Sequence, residues 1–333
     1  MAKKKVLKLR TWPKVLLVLI VLGICGGLYA NQRYQEYVYL HSNEYALKEK
    51  GYTEDNIKDF NKYLSDSEIK EIIKKDYNEF IPEFIKCKYF LFKNLDKYLT
   101  QVVTKDQDFF KYYKNEGYDY DNIVTMTNVK AIYPYYTETT PTDMEKGYGI
   151  LVNKYNNLSE DYVPDDLVSV DWKYRLGSQS DKKQIRKDVY DAYLEMWNAA
   201  QEDGIYLLVL SGFRTYQNQV DTYNGYKNEK GEAYADSIAA RPGFSEHQTG
   251  LSLDIYSKEC TTQSQFKDSK SFEWLKNNSY KYGFIIRYPE GKDKITGYGA
   301  ESWHYRYLGK DLATKVYESG LTYDEYYAFY LDK

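Results

Sequence analysis

The chain has three histidines, His41, His247 and His304, and two of them stand among other groups able to do chemistry. One segment reads Ser245-Glu246-His247-Gln248-Thr249-Gly250-Leu251-Ser252-Leu253-Asp254, and the other Glu301-Ser302-Trp303-His304-Tyr305-Arg306-Tyr307. Leu251, Leu253 and Ile255 alternate with Ser252 and Asp254, which predicts a strand whose Asp254 points away from the face that Leu253 and Ile255 bury. Gly250 permits a turn between His247 and that strand. On the second segment Trp303, Tyr305 and Tyr307 share one strand face, and Ser302, His304 and Arg306 share the other. If the two polar faces line one groove, His247, His304 and Asp254 converge. Two imidazoles and a carboxylate, with a fourth position left for water, suit zinc. Glu301 lies just before the strand, near enough to be a fourth polar group without being a ligand. Each residue alone has an ordinary reading: a lone histidine is more often hydrogen-bonded than metal-bound, a strand aspartate solvated or capping, and Glu301 a surface charge. His41 has no such neighbours and reads as solvated.

These residues need a scaffold, and the pattern from residue 146 onward supplies one. The spacing of Ile185, Val189, Ala192, Met196 and Ala200 predicts a helix over 182–203, closed by Gly204. The apolar run 205–210 predicts a buried strand, and 251–255, 284–288 and 302–307 predict three more. A helix is expected over 272–282, ending at Gly283. Strands separated by helices and long loops indicate an α+β domain with a mainly antiparallel sheet flanked by helices. Residues 146–333 are enough for a self-standing core. Residues 32–145 read as a mostly helical stalk or spacer. Ser65 and Glu68 there form a capping box ahead of Ile69, Ile72, Ile73 and Tyr77. The Pro-interrupted polar run 137–142 marks the boundary.

Residues 1–31 read as a basic cytoplasmic N-terminus and a transmembrane signal anchor. Lys3, Lys4, Lys5, Lys8, Arg10 and Lys14 precede the uncharged run 15–30. That run is short against the roughly 20 apolar residues of a full span, but Trp12 and Tyr29 can anchor it at the interfaces. Cleavage as a signal peptide is disfavoured because Leu28 occupies the place of a small residue before Ala30. A lipoprotein reading is disfavoured by the bulky Ile24 before Cys25. The basic flank keeps the N-terminus inside and exports the rest, a single-pass arrangement with an extracellular domain. The exported part holds 40 basic and 49 acidic groups, which excludes a nucleic-acid binder on electrostatic grounds. Three cysteines, none in a CxxC pair, are too few for a disulfide framework. The 40 tyrosines of 333 residues are read as compositional bias.

The two histidine segments resemble the SxHxxGxAxD and ExxH signatures of zinc D-alanyl-D-alanine carboxypeptidases of the VanY type, shared with the related L,D-carboxypeptidases of peptidoglycan maturation. Ser252 stands where alanine is usual, a small-for-small change. The resemblance covers roughly residues 146–310. Residues 151–155 and 162–167 resemble the start of that catalytic domain. Ser211-Gly212-Phe213-Arg214-Thr215, with Gln217 and Gln219, resembles its arginine loop, and 282–289 its later strand. The resemblance implies that His247, Asp254 and His304 bind Zn²⁺ and that Glu301 is the general base and then the acid. It implies that Arg214 stabilises the oxyanion, and that Ser245 and Gln219 hold the terminal residue of the substrate. The implied substrate is a peptidoglycan stem peptide that loses its C-terminal D-alanine at the cell surface. Two other readings stand beside it: an endopeptidase of the same fold cutting within stem peptides, and a zinc-containing module that binds wall peptides without turnover. An intact Glu301 speaks against the last. A serine penicillin-binding hydrolase is disfavoured, since no SxxK occurs with a matching KTG.

Overall fold

The computed structural model describes residues 12–103, 119–178, 182–260 and 262–332. Of the basic residues on which the expected topology rests, Lys3, Lys4, Lys5, Lys8 and Arg10 lie outside the described residues. The chain forms two compact units, Met1–Asp121 and Asn122–Lys333.

In the first unit, α1 (Trp12–Leu40) is a 29-residue helix with a mean hydropathy of 2.0 over 18 residues and none of that window buried. It is long and apolar enough to cross a membrane, a test that a signal sequence also passes. Short helices follow, beginning with α2 (Asn43–Glu49), α3 (Glu54–Tyr63) and α4 (Asp66–Lys74), packed about Leu47, Ile57, Phe60, Ile69 and Ile72. Their starts are fixed by side chains. Ser42, Thr53 and Ser65 each accept from a backbone N–H of the first turn, and Thr53–Asn56 and Ser65–Glu68 close reciprocal boxes. The α4 helix stops at Lys74 because Lys75 is extended, so Tyr77 falls beyond it.

The second unit is built on an antiparallel sheet of four strands: β5 (Leu207–Ser211), β6 (Ser252–Ser257), β7 (Phe284–Tyr288) and β8 (Glu301–Tyr307), in the order β5-β6-β8-β7. Ahead of it come two short pairs, β1 (Thr140–Pro141) with β2 (Asn156–Asn157), and β3 (Leu167–Ser169) with β4 (Gln184–Arg186). The sheet packs its apolar side chains, among them Leu207, Leu253, Ile255, Phe284 and Tyr305, against Val189, Tyr193 and Met196 of α5 (Lys187–Glu202) and Leu275 of α6 (Lys270–Asn278). The helix expected over 182–203 thus starts five residues late. Ile185 fits the helical spacing, but its backbone pairs with Val168, and Arg186 is still extended at the helix N-terminus. The helix expected over 272–282 ends at Asn278. A 3₁₀ turn, Ser279–Tyr282, carries the chain to Gly283, which is left-handed.

Candidate metal and catalytic site

Strand register brings the first two polar groups together. Asp254 of β6 lies directly opposite His304 of β8, and Ser211 of β5 lies opposite Asp254 on its other side. His247 comes from the 3₁₀ turn Glu246–Thr249 just before β6. The turn ends at Gly250 with φ +66°, where a Cβ would stand 2.9 Å from Arg186 Cγ, so a side chain is excluded by both conformation and space. The ring of His247 is aimed by its Nδ1–H, which donates to the Gly212 carbonyl at 2.7 Å. Gly212 is itself forced: a Cβ there would lie 2.4 Å from the Gln184 carbonyl oxygen.

One donor atom from each of His247, Asp254 and His304 lies within 4.8 Å of the other two, and all three residues are buried. Asp254 turns one oxygen to His304 Nδ1 at 3.0 Å and the other to His247 Nε2 at 3.5 Å. The remaining nitrogen of each ring is occupied from outside: His247 Nδ1 by Gly212, and His304 Nε2 by the Glu246 carboxylate at 3.4 Å. That is how metal-ligating imidazoles are oriented. The set therefore fits a divalent ion held by two nitrogens and one oxygen with an open position. Protonation reports the same demand for positive charge. Burial disfavours a charged His304, yet its bonds to Asp254 and Glu246 push its pKa up to about 9. Burial would raise the Asp254 carboxyl, but the two imidazoles hold it well below the carboxylate range. Burial lowers the pKa of His247.

Glu301 reaches the same cleft through an irregularity. In a regular strand, residues three apart face opposite sides. Here Ile286 pairs with Tyr305 and Tyr288 with Glu301, so three residues of β8 stand against one of β7. The slip lets Glu301 and His304 line one cleft of about 310 Å³, with Glu301 Oε2 at 4.0 Å from His304 Nδ1. Burial pushes the Glu301 carboxyl up to about 7 in the metal-free chain, against the opposing pull of His304. Arg214 lines the same cleft. Its backbone N–H donates to the His247 carbonyl at 3.1 Å, and its guanidinium donates to Gln219 Oε1 at 2.8 Å. The Gln219 amide then donates to the Ala240 carbonyl at 2.7 Å, so both ends of Gln219 are engaged in holding the arginine loop. Ser245 also lines the cleft, and its hydroxyl makes no capping bond to the turn that follows. The structure thus gathers all seven residues singled out in the sequence into one cleft.

Behind the cleft lies a network that the sequence did not announce. Glu246, adjacent to His247, accepts from Arg287 Nε and Arg306 Nη1, both at 2.8 Å, and from Ser252 Oγ at 3.2 Å. Arg287 also binds Asp324. Both arginines are fully buried. Tyr288, on the slipped strand edge, stacks on the His304 ring with centroids 5.1 Å apart. The alternation of Arg306 with His304 was a visible signal for its part in the network, and the proximity of Glu246 to His247 was another.

Residues 182–310 match the family model described as VanY, D-alanyl-D-alanine carboxypeptidase. Among curated proteins, the chain is 41% identical over 179 residues to the putative carboxypeptidase YodJ of Bacillus subtilis, covering 53% of this chain and 66% of that protein, just under two thirds of its length. It is 30% identical over 191 residues to the bifunctional D-Ala-D-Ala dipeptidase and carboxypeptidase VanXYC of Enterococcus gallinarum, covering 54% of this chain and 93% of that one. The solved structure of the LdcB LD-carboxypeptidase superposes with a TM-score of 0.55 and 37% identity, over 58% of this chain and 91% of that one. Both the matched segment and the cleft's residues fall in the second unit, and by these likenesses the chain belongs to the VanY family of D-alanyl-D-alanine carboxypeptidases.

Proposed function

We propose that this protein is a zinc carboxypeptidase that removes a C-terminal D-alanine from peptidoglycan stem peptides. In this reading it is held at the cell surface by α1, with the second unit outside. The observation that carries the proposal is the meeting of an N,N,O donor set with a half-buried carboxyl outside that set, Glu301, and a cation, Arg214, in one cleft. His247, Asp254 and His304 hold the metal. When bound, zinc supplies Lewis acidity, lowering the pKa of water to about 7 and polarising a carbonyl. Glu301 takes a proton from the attacking water and returns it to the leaving amine. Arg214, fixed by Gln219, faces the negative charge that develops on the scissile carbonyl oxygen. Ser245 offers its hydroxyl to the terminal residue, and Gln219 helps hold that residue through its grip on Arg214.

The test is incubation of the full-length, zinc-loaded protein with defined tetra- and pentapeptide stems, followed by mass spectrometry. Loss of a single C-terminal alanine is expected. Fragments cut inside the stem would replace this reading with the endopeptidase, and intact peptides with bound zinc would replace it with the binding module.

A further inference from the structure

A second cavity, of about 450 Å³, adjoins the catalytic cleft, and Tyr288 and Trp303 are walls of both. Its lining is apolar where Phe272 and Ile286 join those two rings. Its rim carries two cations, Lys267 and Lys276, and two anions, Asp268 and Glu290. Among the described residues none of these four has an ion pair or side-chain hydrogen bond. Ser302 also lines the cavity; it is 9% exposed and its buried hydroxyl has no partner. An apolar trough with both signs of charge unspent at its mouth, and an unsatisfied hydroxyl within it, is built for an aliphatic chain with a zwitterionic end.

Its place in the sheet says which chain. Arg214 follows β5, Asp254 lies on β6, His304 on β8 and Tyr288 on β7, so the strand order β5-β6-β8-β7 runs from the arginine, across the donor set, to this cavity. On the proposed carboxypeptidase reading, on which this inference rests, the leaving D-alanine lies toward Arg214. The preceding residues of the peptide then extend over β7 toward Tyr288 and Trp303. We propose that the cavity receives the side chain of the diamino acid at the third position of the stem, and that it selects a side chain ending in both an amino and a carboxylate group. The methylenes lie against Phe272 and Trp303, the amino group meets Asp268 and Glu290, and the carboxylate meets Lys267 and Lys276. A lysine side chain would leave both cations unmatched.

The experiment uses the full-length, zinc-loaded protein and stems, each as the tetra- and the pentapeptide, that differ only at the third position: 2,6-diaminopimelate, lysine or alanine. Rim charge pairs are individually weak, so two of them predict a kcat/KM about fivefold higher for the diaminopimelate stem than for the lysine stem. The alanine stem should be the slowest. The double variant Lys267→Ala/Lys276→Ala should bring the diaminopimelate-to-lysine ratio close to one. Calorimetric Kd values for the same peptides on the Glu301→Gln protein should rank them in the same order. Equal rates and equal Kd values across the stems, or a ratio untouched by the double variant, would overturn the assignment. Hydrolysis of none of them would instead overturn the carboxypeptidase reading, and the Kd ranking would still decide this one.

Discussion

Replacing Glu246 by glutamine should destabilise the second unit more than any exposed charge change. One carboxylate there accepts from four donors: Arg287, Arg306, Ser252 and His304. The buried charges balance, with Arg287 and Arg306 against Glu246 and Asp324. Glutamine is nearly isosteric but neutral, and its NH₂ must face a donor. Arg287 keeps Asp324, and Arg306 keeps the carbonyls of Tyr148 and Ile150, so the fold has anchors left while one buried cation goes uncompensated. Breaking such a pair costs about 3–5 kcal/mol. For a unit the size of Asn122–Lys333, that lowers Tm by roughly 6–20 °C. The pH dependence has a fixed sign. Burial would raise the Glu246 carboxyl, but the two guanidiniums hold it well below the carboxylate range. Its stabilisation is therefore complete above the unfolded value of about 4.3 and is lost as pH falls below it. Differential scanning calorimetry of metal-free wild type and Glu246→Gln at pH 7, and again toward pH 3, reads both effects. A drop of under about 2 °C at pH 7, or a gap that widens on acidification, would refute the reasoning.

Four further outcomes are expected. Metal uptake must displace the proton that holds His304 near pKa 9, so zinc affinity should fall about tenfold per pH unit below that value, with proton release measurable by calorimetry in two buffers. The same raised pKa stabilises the metal-free fold fully below about pH 6.5 and is lost as pH climbs through about 9, so its Tm should decline over that interval. A stem peptide with an amidated C-terminus should lose at least about tenfold in kcat/KM, because the groups that hold the terminal residue, Ser245 and Gln219, would face a neutral end; equal cleavage of acid and amide would point to the endopeptidase. Protease added to intact cells should digest the region after α1, and its protection would contradict the surface location.

The donor set was legible because histidine is scarce: with three in the chain, two in motif-like segments could be singled out. Alternation then placed Asp254 and His304 correctly on their strands, and the register confirms them as direct neighbours. Alternation alone could not explain Glu301, since residues 301 and 304 share a cleft only through the slip against Arg287. A pairing irregularity of that kind leaves no mark in local periodicity. The strand β4 was hidden for a related reason: Ile185 satisfies the helical spacing, and only its pairing with β3 decides otherwise. The Arg287–Asp324 contact joins segments 37 residues apart, and nothing near Asp324 marks it as part of a site. The polar run 137–142 suggested a boundary near 145. The compact second unit begins earlier, at Asn122, because residues before 145 are tied into it: Thr142 donates to the Leu151 carbonyl, and the Tyr136 hydroxyl accepts from the Arg241 backbone N–H.

The central claim is that Glu301 carries the proton while His247, Asp254 and His304 carry the metal. The most direct test measures zinc content and stem-peptide turnover of Glu301→Gln side by side. Loss of the proton carrier predicts full zinc occupancy with kcat reduced by about 10²–10⁴. A variant that keeps most of its turnover, or one that loses its zinc, would contradict that division of roles.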